Sequence, residues 1–468
     1  MMTSTSVPPT RSELIERFTA PGQPFEIGER TVRGLPMRVY TTGPRTLRDI
    51  ALALGTFGDR PFLMYRDERW TYAEQARIIA GLALCLRDAY GLRKGDRMAV
   101  SMRNYPEWTP LFWASALLGV VLVPLNAWWS GAELRYALGD ATPRLVVADA
   151  ERTALIAPHV SELQGSPALI EVRGAGQPAP GVRRWEDLLA SLDQAATPAD
   201  EQVGPDDVPT VLRQLVADAA AHPGDYESLL GIAMGGAPIP PDLVTRIGGE
   251  TFRMPVAPSN GYGLTETTSA VVANTGTDYL ARPDSVGRLV PGADVRVVDP
   301  VTGQDAGAGE VGELWFYGPN IVRGYWNNPE ATAGAFTDGW FHTGDLGRVA
   351  DGWIYVVDRL KDVVIRGGEN IYCAEVEAAL FEHPAIDDVA VVGVPDPKNG
   401  EEAVAVVVTA PQAALTADEV RRHIGERLAS FKVPAYIVFW SQPLPRTASG
   451  KVLKRELRSA VAAEVGAR

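Results

Sequence analysis

The feature that most constrains the fold is an alternation of helix-like and strand-like segments that begins near residue 47. The helical pattern TYAEQARIIAGLALCLRDAYG (71–91) leads into GDRMAVSM (95–102), an apolar run of the kind that forms a buried strand. A helical pattern at 131–139 then precedes a second such run, RLVVAD (144–149). Because strands that alternate with helices usually pair in parallel, the pattern predicts βαβ units of an α/β protein.

The longest apolar run, LFWASALLGVVLVPL (111–125), is too short for a comfortable membrane span. We interpret it as a buried helix that turns at Gly119 into a buried strand. The chain begins without the apolar core of a signal peptide, and its two cysteines, Cys85 and Cys373, are too few for a disulfide framework. The net charge of −14 gives a nucleic-acid partner little electrostatic support. We therefore expect a cytoplasmic protein without a transmembrane segment.

The predicted secondary structure changes in character twice towards the C-terminus. Short strands with glycine turns over 286–317 indicate a compact β unit, and a smaller α/β block follows KDVVIRGG. We predict a boundary near Leu360–Lys361. The expected architecture is a large N-terminal domain of parallel-rich sheets flanked by helices, plus the small β unit, joined by a hinge to a smaller C-terminal α+β domain. The two predicted domains are residues 1–360 and residues 361–468.

The stretch SNGYGLTETTS has the residue types that a nucleotide needs. Gly261 and Gly263 let the backbone pass close to a ligand, and Tyr262 offers an aromatic face for a base. Thr265 and Glu266 offer a hydroxyl and a carboxylate for phosphate and Mg²⁺. Taken alone, the same letters also describe a glycine-rich turn followed by a helix cap.

Two further turns have a functional and a structural interpretation. In GIAMGGAPIP (231–240), a glycine pair follows an apolar strand, which suits either close approach to a ring or an ordinary tight turn. In WFHTGDLGRV, Asp345 lies in a glycine-rich turn, where a carboxylate can accept hydrogen bonds from ribose hydroxyls. The structural alternative is an aspartate that accepts a bond from its own backbone.

Charged residues mark two C-terminal segments. Arg359 and Lys361 precede a Gly-Gly turn in DRLKDVVIRGGENIYCAEVE, which indicates either a hinge with a mobile loop or a solvated linker before a helix. Lys451 follows Ser449 and Gly450 in PLPRTASGKVLKREL. A lysine on a flexible loop can bring its ammonium to developing negative charge, although such clusters are more often basic surface.

Together and in this order, GGAP, NGYGLTET, HTGD, DRLKD, GGENIYCAEVE and PRTASGK resemble the adenylate-forming (AMP-binding) superfamily of acyl-CoA synthetases, aryl-CoA ligases, luciferases and peptide-synthetase adenylation domains. The similarity covers nearly the whole chain. In that family a carboxylate attacks the α-phosphate of ATP, and a thiol, usually coenzyme A, then displaces AMP. The resemblance implies an acid–thiol ligase with ATP and coenzyme A as substrates, Mg²⁺ as metal and a fatty acid as the first choice of acid. An aryl or terpenoid-derived acid is the alternative, and a homodimer is left open.

The resemblance also implies a role for each matching residue. Thr265 would contact phosphate, Glu266 would hold Mg²⁺, and Asp345 would bind the ribose hydroxyls with Arg359 nearby. Lys451 would bridge the attacking carboxylate and the α-phosphate. The residues that would line the adenine pocket are Gly236, Ala237, Pro238, Asn260, Gly261, Tyr262 and Gly263.

The resemblance places the hinge of the C-terminal domain at Lys361. Rotation there would withdraw Lys451 and bring a loop to the site for thioester formation. Cys373 departs from the proline that the family usually has, and we expect it to soften the turn before the helix. The residues of the thioester-step loop are Gly367, Gly368, Glu369 and Asn370.

One family element is missing from the sequence. The Ser/Thr/Gly-rich loop that wraps the β- and γ-phosphates, and the aromatic-histidine motif after it, should follow GPDD in VGPDDVPTVL (203–212). The resemblance therefore implies that on the order of a hundred residues are absent at Asp207–Val208, most of a subdomain. Two hypotheses follow: an acyl-CoA ligase whose first step is impaired, or a catalytically inactive relative that binds nucleotide or acyl-CoA.

Overall fold

The computed structural model describes residues 11–192, 231–235, 239, 241–248, 256–411, 413–447 and 451–465. The chain divides into two compact units. The smaller unit is Thr42–Gly204, and the larger consists of Met1–Thr41 with Pro205–Arg468. Both units combine helices with sheets, so the predicted mixed α/β class is confirmed. The larger unit begins with helix α1 (Arg11–Thr19) and an antiparallel hairpin of β1 (Ile27–Val32) and β2 (Leu35–Tyr40).

The smaller unit is built on a five-stranded parallel sheet in the order β6-β5-β7-β8-β9. This sheet confirms the predicted βαβ alternation. Its central strand β7 is buried along its whole length, which explains the unbroken apolar run. The strands are β3 (Pro61–Tyr65), β4 (Glu68–Thr71), β5 (Arg97–Ser101), β6 (Val121–Pro124), β7 (Leu145–Asp149), β8 (Ala168–Val172) and β9 (Val182–Arg184). The helices are α2 (Leu47–Leu52), α3 (Tyr72–Asp88), α4 (Trp108–Leu118), α5 (Gly131–Ala141), α6 (Ala150–Ile156) and α7 (Trp185–Ala190).

The helix-to-strand turn predicted at Gly119 is present, but the strand after it is not buried. Helix α4 ends where Gly119 adopts a left-handed conformation with φ 67°. Strand β6 lies at the edge of the described sheet, and Val121 is 45% exposed. An edge position also suits Pro124, which has no N–H to donate to a second neighbour. The expectation of a buried strand was therefore wrong, because an apolar sequence does not reveal which strand forms the edge.

The larger unit continues with two sheets. The first has the order β10-β11-β12-β13, in which β10 and β11 are parallel and the remaining pairs are antiparallel. The second is antiparallel and forms the predicted β unit. The strands are β10 (Gly231–Gly235), β11 (Ala257–Leu264), β12 (Ser269–Thr275), β13 (Arg288–Leu289), β14 (Asp294–Val298), β15 (Gly312–Tyr317), β16 (Phe336–Thr337), β17 (Trp340–Ala350) and β18 (Trp353–Arg359). The helices are α8 (Pro241–Gly248), α9 (Gly276–Ala281) and α10 (Pro329–Ala335).

The C-terminal part of this unit has a third sheet with helices on both faces. Alternate residues of its long strands pack on opposite sides: Val391 lies in a cluster with α11 and α12, and Val392 lies in a cluster with α13. Because both faces are covered, the strands read as continuous apolar runs. The strands are β19 (Val364–Arg366), β20 (Glu369–Ile371), β21 (Ile386–Asp396), β22 (Gly400–Thr409) and β23 (Tyr436–Trp440). The helices are α11 (Cys373–Phe381), α12 (Ala417–Gly425) and α13 (Lys454–Val465).

A 3₁₀ turn at Leu360–Asp362 connects strand β18 to this C-terminal block. The boundary expected near Leu360–Lys361 falls on that turn and stays a prediction. None of the described helices is long and apolar enough to cross a membrane. The cytoplasmic location also stays a prediction.

Candidate active site

Three of the predicted site residues meet where strands β11, β17 and β18 come together. The Tyr262 hydroxyl donates a hydrogen bond of 2.7 Å to Oδ2 of Asp345. Nε of Arg359 lies 3.0 Å from the other carboxylate oxygen, Oδ1, as an ion pair. Asp345 and Arg359 are direct cross-strand partners, so the antiparallel register of β17 and β18 fixes their proximity. Side chains more than eighty positions apart in sequence thus form one polar group.

The turn HTGD orients Asp345 through its neighbours. The hydroxyl of Thr343 donates to the carbonyl of Leu314 at 2.7 Å and accepts the backbone N–H of Asp345 at 3.0 Å. Gly344 has φ 69°, and its N–H donates to Glu313. The turn is therefore held by β15, the strand beside it, and the carboxylate of Asp345 does not have to satisfy its own backbone.

Burial dominates the electrostatics of this group. Asp345 is only 4% exposed, whereas the Arg359 side chain is 51% exposed. Burial raises the pKa of Asp345 above its usual value, and the Tyr262 hydroxyl and the Arg359 charge act in the opposite direction. Burial, together with the negative charge of Asp345, raises the pKa of Tyr262 well above its usual value. Oδ1 of Asp345 accepts no hydrogen bond of good geometry, and the ion pair with Arg359 is its contact with a donor group.

The glycines of SNGYGLTETTS serve packing within the sheet. A Cβ on Gly263 would lie 2.1 Å from the carbonyl oxygen of Ser269 on the neighbouring strand β12, at the position of a bulge. A Cβ on Gly261 would lie 3.2 Å from the Cβ of Ala270. The requirement for glycine at Gly263 therefore comes from a strand contact, a cause that the sequence pattern did not distinguish from ligand approach.

Thr265 and Glu266 form the 3₁₀ turn that follows strand β11. Thr265 is exposed, and the carbonyl of Glu266 accepts the N–H of Val322 at 2.8 Å. Oε1 of Glu266 accepts a hydrogen bond of 2.7 Å from the hydroxyl of Tyr325. Burial, with the hydrogen bond to Glu266, raises the pKa of Tyr325 to about 12, so this hydroxyl remains a donor at neutral pH.

Sequence reasoning missed Tyr325 and Thr343, which support the two carboxylates. Tyr325 comes directly after Gly324, whose φ of 146° places the backbone where other residues are strained. Thr343 lies in the quoted HTGD turn. The available signal was a hydroxyl-bearing residue beside a glycine, and this signal is too common to select these two residues.

Lys361 lies exposed in the 3₁₀ turn Leu360–Asp362, and its positive charge acts on Asp345. The predicted thioester-step loop is a tight hairpin between β19 and β20. Gly367 and Gly368 form its turn with φ values of 59° and 91°. Glu369 and Asn370 belong to the paired strand β20. The segment thus forms a hairpin, and its movement to the site stays a prediction.

Lys451 is exposed, and its backbone pairs with that of Thr447. The carbonyl of Lys451 accepts the N–H of Thr447 at 2.8 Å, and its own N–H donates to the hydroxyl of Thr447. An isolated bridge between Arg446 and Val452 continues this pairing. In the described part of the chain, no hydrogen bond or ion pair joins the Lys451 side chain to Asp345 or Glu266.

Of the remaining predicted residues, some have a described position and others lie outside the described residues. Asn260 is buried on strand β11 and pairs with Asn274 of β12. Cys373 is the first residue of α11, a position that proline favours, so the departure from the family pattern lies where either residue can start the helix. The sites that lie outside the described residues are Gly236, Ala237, Pro238 and the junction Asp207–Val208.

Comparison with known families identifies the chain. The profile of the AMP-binding enzyme family matches residues 51–208 and 206–326, and the profile of the AMP-binding enzyme C-terminal domain matches residues 375–451. The chain belongs to the AMP-binding enzyme family. The resemblance to adenylate-forming enzymes of the acyl-CoA synthetase type is thereby confirmed.

Individual relatives support this assignment. A feruloyl-CoA synthase of an Amycolatopsis species is 34% identical over 464 aligned positions, covering 83% of this chain and 93% of the relative. The long-chain-fatty-acid–CoA ligase FadD13 of Mycobacterium tuberculosis is 30% identical over 486 positions, covering 85% and 94%. The ATP-bound structure of MatB from Rhodopseudomonas palustris superposes with a TM-score of 0.71 at 25% identity, covering 88% of this chain and 99% of that one.

Proposed function

We propose that this AMP-binding enzyme is an acid–thiol ligase that activates a carboxylic acid with ATP and transfers the acyl group to coenzyme A. In the first step a carboxylate oxygen bonds to the α-phosphorus of ATP, and the bond from that phosphorus to the bridging oxygen breaks, which releases pyrophosphate. In the second step the sulfur of coenzyme A bonds to the acyl carbon. The acyl–phosphate bond then breaks with release of AMP, and the thiol proton passes to solvent.

The observation that carries the proposal is the group formed by Tyr262, Asp345 and Arg359. A carboxylate can accept about four hydrogen bonds, and Asp345 has one from Tyr262 and an ion pair with Arg359, so it retains acceptor capacity for a pair of neighbouring ribose hydroxyls. Arg359 supplies a positive charge beside it that an AMP phosphate or the carboxylate itself can pair with. In the family pattern these positions bind the ribose, and the geometry supports that assignment for this chain.

We assign the remaining roles by the family pattern. Lys451 neutralises the charge that develops between the acid and the α-phosphate, where a positioned ammonium is most effective. Rotation at Lys361 exchanges Lys451 for the Gly367–Asn370 hairpin between the two half-reactions. The hairpin is compatible with this, because β19 also pairs with β22 of the C-terminal block and can move with it.

The residues also fit a magnesium ion. Glu266 offers carboxylate oxygen at a partly exposed turn, and Thr265 beside it is exposed. In the part of the chain that the structure describes, no group of three or more His, Cys, Asp or Glu could hold a metal ion. Mg²⁺ would therefore be bound by Glu266 with water and phosphate oxygens, which is its usual coordination beside a nucleotide. When bound, it would neutralise phosphate charge.

The identity of the carboxylic acid is less well defined than the reaction. The sequence favoured a fatty acid first and an aryl or terpenoid-derived acid second. The relatives named above include one named for ferulate and one named for long-chain fatty acids, and the feruloyl-CoA synthase has the higher identity. We therefore propose that aryl acids be tested alongside fatty acids.

Two features support the absence of an internal segment near Asp207–Val208. The family profile matches in two pieces that meet at residues 206–208. In the alignment with the feruloyl-CoA synthase, 83% of 468 residues is about 388, so about 76 of the 464 aligned positions contain no residue of this chain. The same calculation with FadD13 (85% of 468, about 398, against 486 positions) leaves about 88. Both values suit the loss of a phosphate-binding loop with part of its subdomain.

This absence favours a second candidate function, a catalytically inactive relative that binds nucleotide or acyl-CoA. Positioning of the phosphates supplies much of the rate in nucleotidyl transfer, so its loss should slow adenylation by orders of magnitude. The retained Lys451, Glu266 and Asp345 favour the ligase instead. The two candidates differ in one measurable property, turnover of ATP.

The deciding experiment is ATP–pyrophosphate exchange with ferulate, other aryl acids and a series of fatty acids. A ligase gives acid-dependent exchange, and Lys451→Ala lowers it at least about tenfold while leaving transfer from preformed acyl-adenylate to coenzyme A active. The matched control is Lys398→Ala, which removes an exposed lysine from the same C-terminal block. No exchange with any acid, together with measurable binding of AMP or coenzyme A, would establish the inactive relative.

A further inference from the structure

A buried carboxylate, Asp358, connects the two sides of the turn Leu360–Asp362. Asp358 is 7% exposed and lies at the end of strand β18. Its Oδ1 accepts the N–H of Arg359 at 2.7 Å, on its own side of the turn. Its Oδ2 accepts the N–H of Ala374 at 3.1 Å, at the start of helix α11 on the other side.

The contact with Ala374 replaces a helix cap. Tyr372, the residue that precedes α11, makes no side-chain bond to the helix, so the first N–H groups depend on other partners. A carboxylate at a helix N-terminus accepts a free N–H and also interacts favourably with the helix dipole. Cys373 adds a second link, since its thiol donates to the carbonyl of Asp362 at 3.0 Å.

The segment that follows Lys451 lies in the same region. Lys454, three residues after Lys451, forms an ion pair of 2.8 Å with Glu377 of helix α11. Oε1 of Glu377 also accepts the N–H of Val391 at 2.7 Å. The positive charge of Lys454 acts on Asp358 as well, so Asp358, Glu377 of α11 and Lys454 form one partly buried group of interacting charges.

We propose that Asp358 is a positioning residue that holds the C-terminal block in one of its two working orientations by capping α11 across the hinge. This inference rests on the proposed function, which includes rotation at Lys361. Asp358 precedes that hinge and Ala374 follows it, so rotation separates them and breaks the cap. The orientation in the structure is thereby favoured, and Asp358 sets the balance between the two half-reactions by stabilising one of them.

The test compares Asp358→Ala with Asp358→Asn. Alanine removes the acceptor, whereas asparagine keeps an oxygen that can accept the N–H of Ala374. We measure ATP–pyrophosphate exchange and, separately, transfer from preformed acyl-adenylate to coenzyme A. For Asp358→Ala we expect the ratio of the two rates to change about tenfold or more, and for Asp358→Asn less, because part of the cap is restored. Asp387→Ala, which removes an exposed carboxylate from the same block, should leave the ratio unchanged.

Hydrogen exchange supplies a readout that needs no activity. Loss of the cap should speed exchange selectively in the peptide 371–381, whereas a general loss of stability speeds it throughout the chain. Equal changes in both half-reactions, or exchange at 371–381 no faster than in Asp387→Ala, would overturn the proposal. If the unmodified chain shows neither half-reaction, the proposed function fails, and selective exchange at 371–381 still decides whether Asp358 holds the hinge.

Discussion

Two buried aspartates on adjacent strands, Asp345 on β17 and Asp358 on β18, have nearly the same environment and different partners. In the register of the two strands, Asp345 lies opposite Arg359, and Asp358 lies opposite Leu346. Both are less than a tenth exposed, and burial raises the pKa of each above its usual value. Neither burial nor position on this pair of strands therefore explains how the two aspartates differ.

The two carboxylates differ in the groups that donate hydrogen bonds to them. Both oxygens of Asp358 accept backbone N–H groups, which the fold supplies. Asp345 accepts the hydroxyl of Tyr262 on one oxygen, and its other oxygen has only an ion pair with the half-exposed Arg359. A carboxylate that the backbone satisfies supports structure, whereas one that side chains satisfy only in part is able to bind a ligand. The following predictions test this distinction.

The largest effect is expected at the partly buried ion pair of Lys454 and Glu377. Lys454→Met should lower the free energy of unfolding by about 2–3 kcal/mol, because it leaves the partly buried Glu377 without its charged partner. Chemical denaturation measures this. Arg87→Met breaks an ion pair with Asp88 in which the two side chains are 46% and 61% exposed, and it serves as the control with little expected change. Equal losses for the two variants would show that this ion pair contributes no more to stability than an exposed one.

The second effect tests Asp345 as a ligand. Asp345→Asn should weaken AMP binding about tenfold to a hundredfold, because a charged acceptor for the ribose hydroxyls becomes a neutral amide. Titration calorimetry with AMP measures this, and Asp358→Asn is the comparison on the adjacent strand. Equal loss of AMP affinity in both variants would contradict the assignment of different roles.

A smaller effect is expected from the donor beside Asp345. Tyr262→Phe removes one hydroxyl and should lower the free energy of unfolding by about 1 kcal/mol, because Oδ2 of Asp345 loses its hydrogen bond. Thermal unfolding measures the change. Tyr355→Phe, on strand β18, retains the ring and gives the reference for removing a hydroxyl. A Tyr262→Phe variant as stable as this reference would show that the bond contributes no stability.

The smallest effect is a dependence on pH. Since the pKa of Asp345 is raised on folding, its contribution to stability is fully present below the usual aspartate pKa of about 3.9 and is lost as pH rises through the raised value. Asp345→Asn cannot ionise, so its stability relative to the unmodified chain should increase with pH across that interval. Urea denaturation at several pH values measures this, and a constant difference between the two proteins would contradict it.

Part of this comparison was predictable from sequence. Asp345 stood out because HTGD places a carboxylate between glycine and apolar residues, and the resemblance supplied its role. Asp358 was quoted within DRLKD and received no role, because its partner Ala374 is sixteen positions later and carries no polar side chain. Tyr325, which donates to Glu266, was missed for the same reason: long-range pairs leave no local pattern.

By itself the sequence determined the family, the alternation that builds the parallel sheet, and the order of the motifs, because hydrophobic period and turn chemistry act over short distances. It also pointed to the junction at Asp207–Val208, which lies outside the described residues and stays a prediction. Only the tertiary structure decided that β6 is an edge strand, that Gly263 is required by β12, and that Asp345 and Asp358 differ in their donors. Each of these depends on which groups come together in space. Strand register and packing determine those contacts, and the neighbouring residues in the sequence do not.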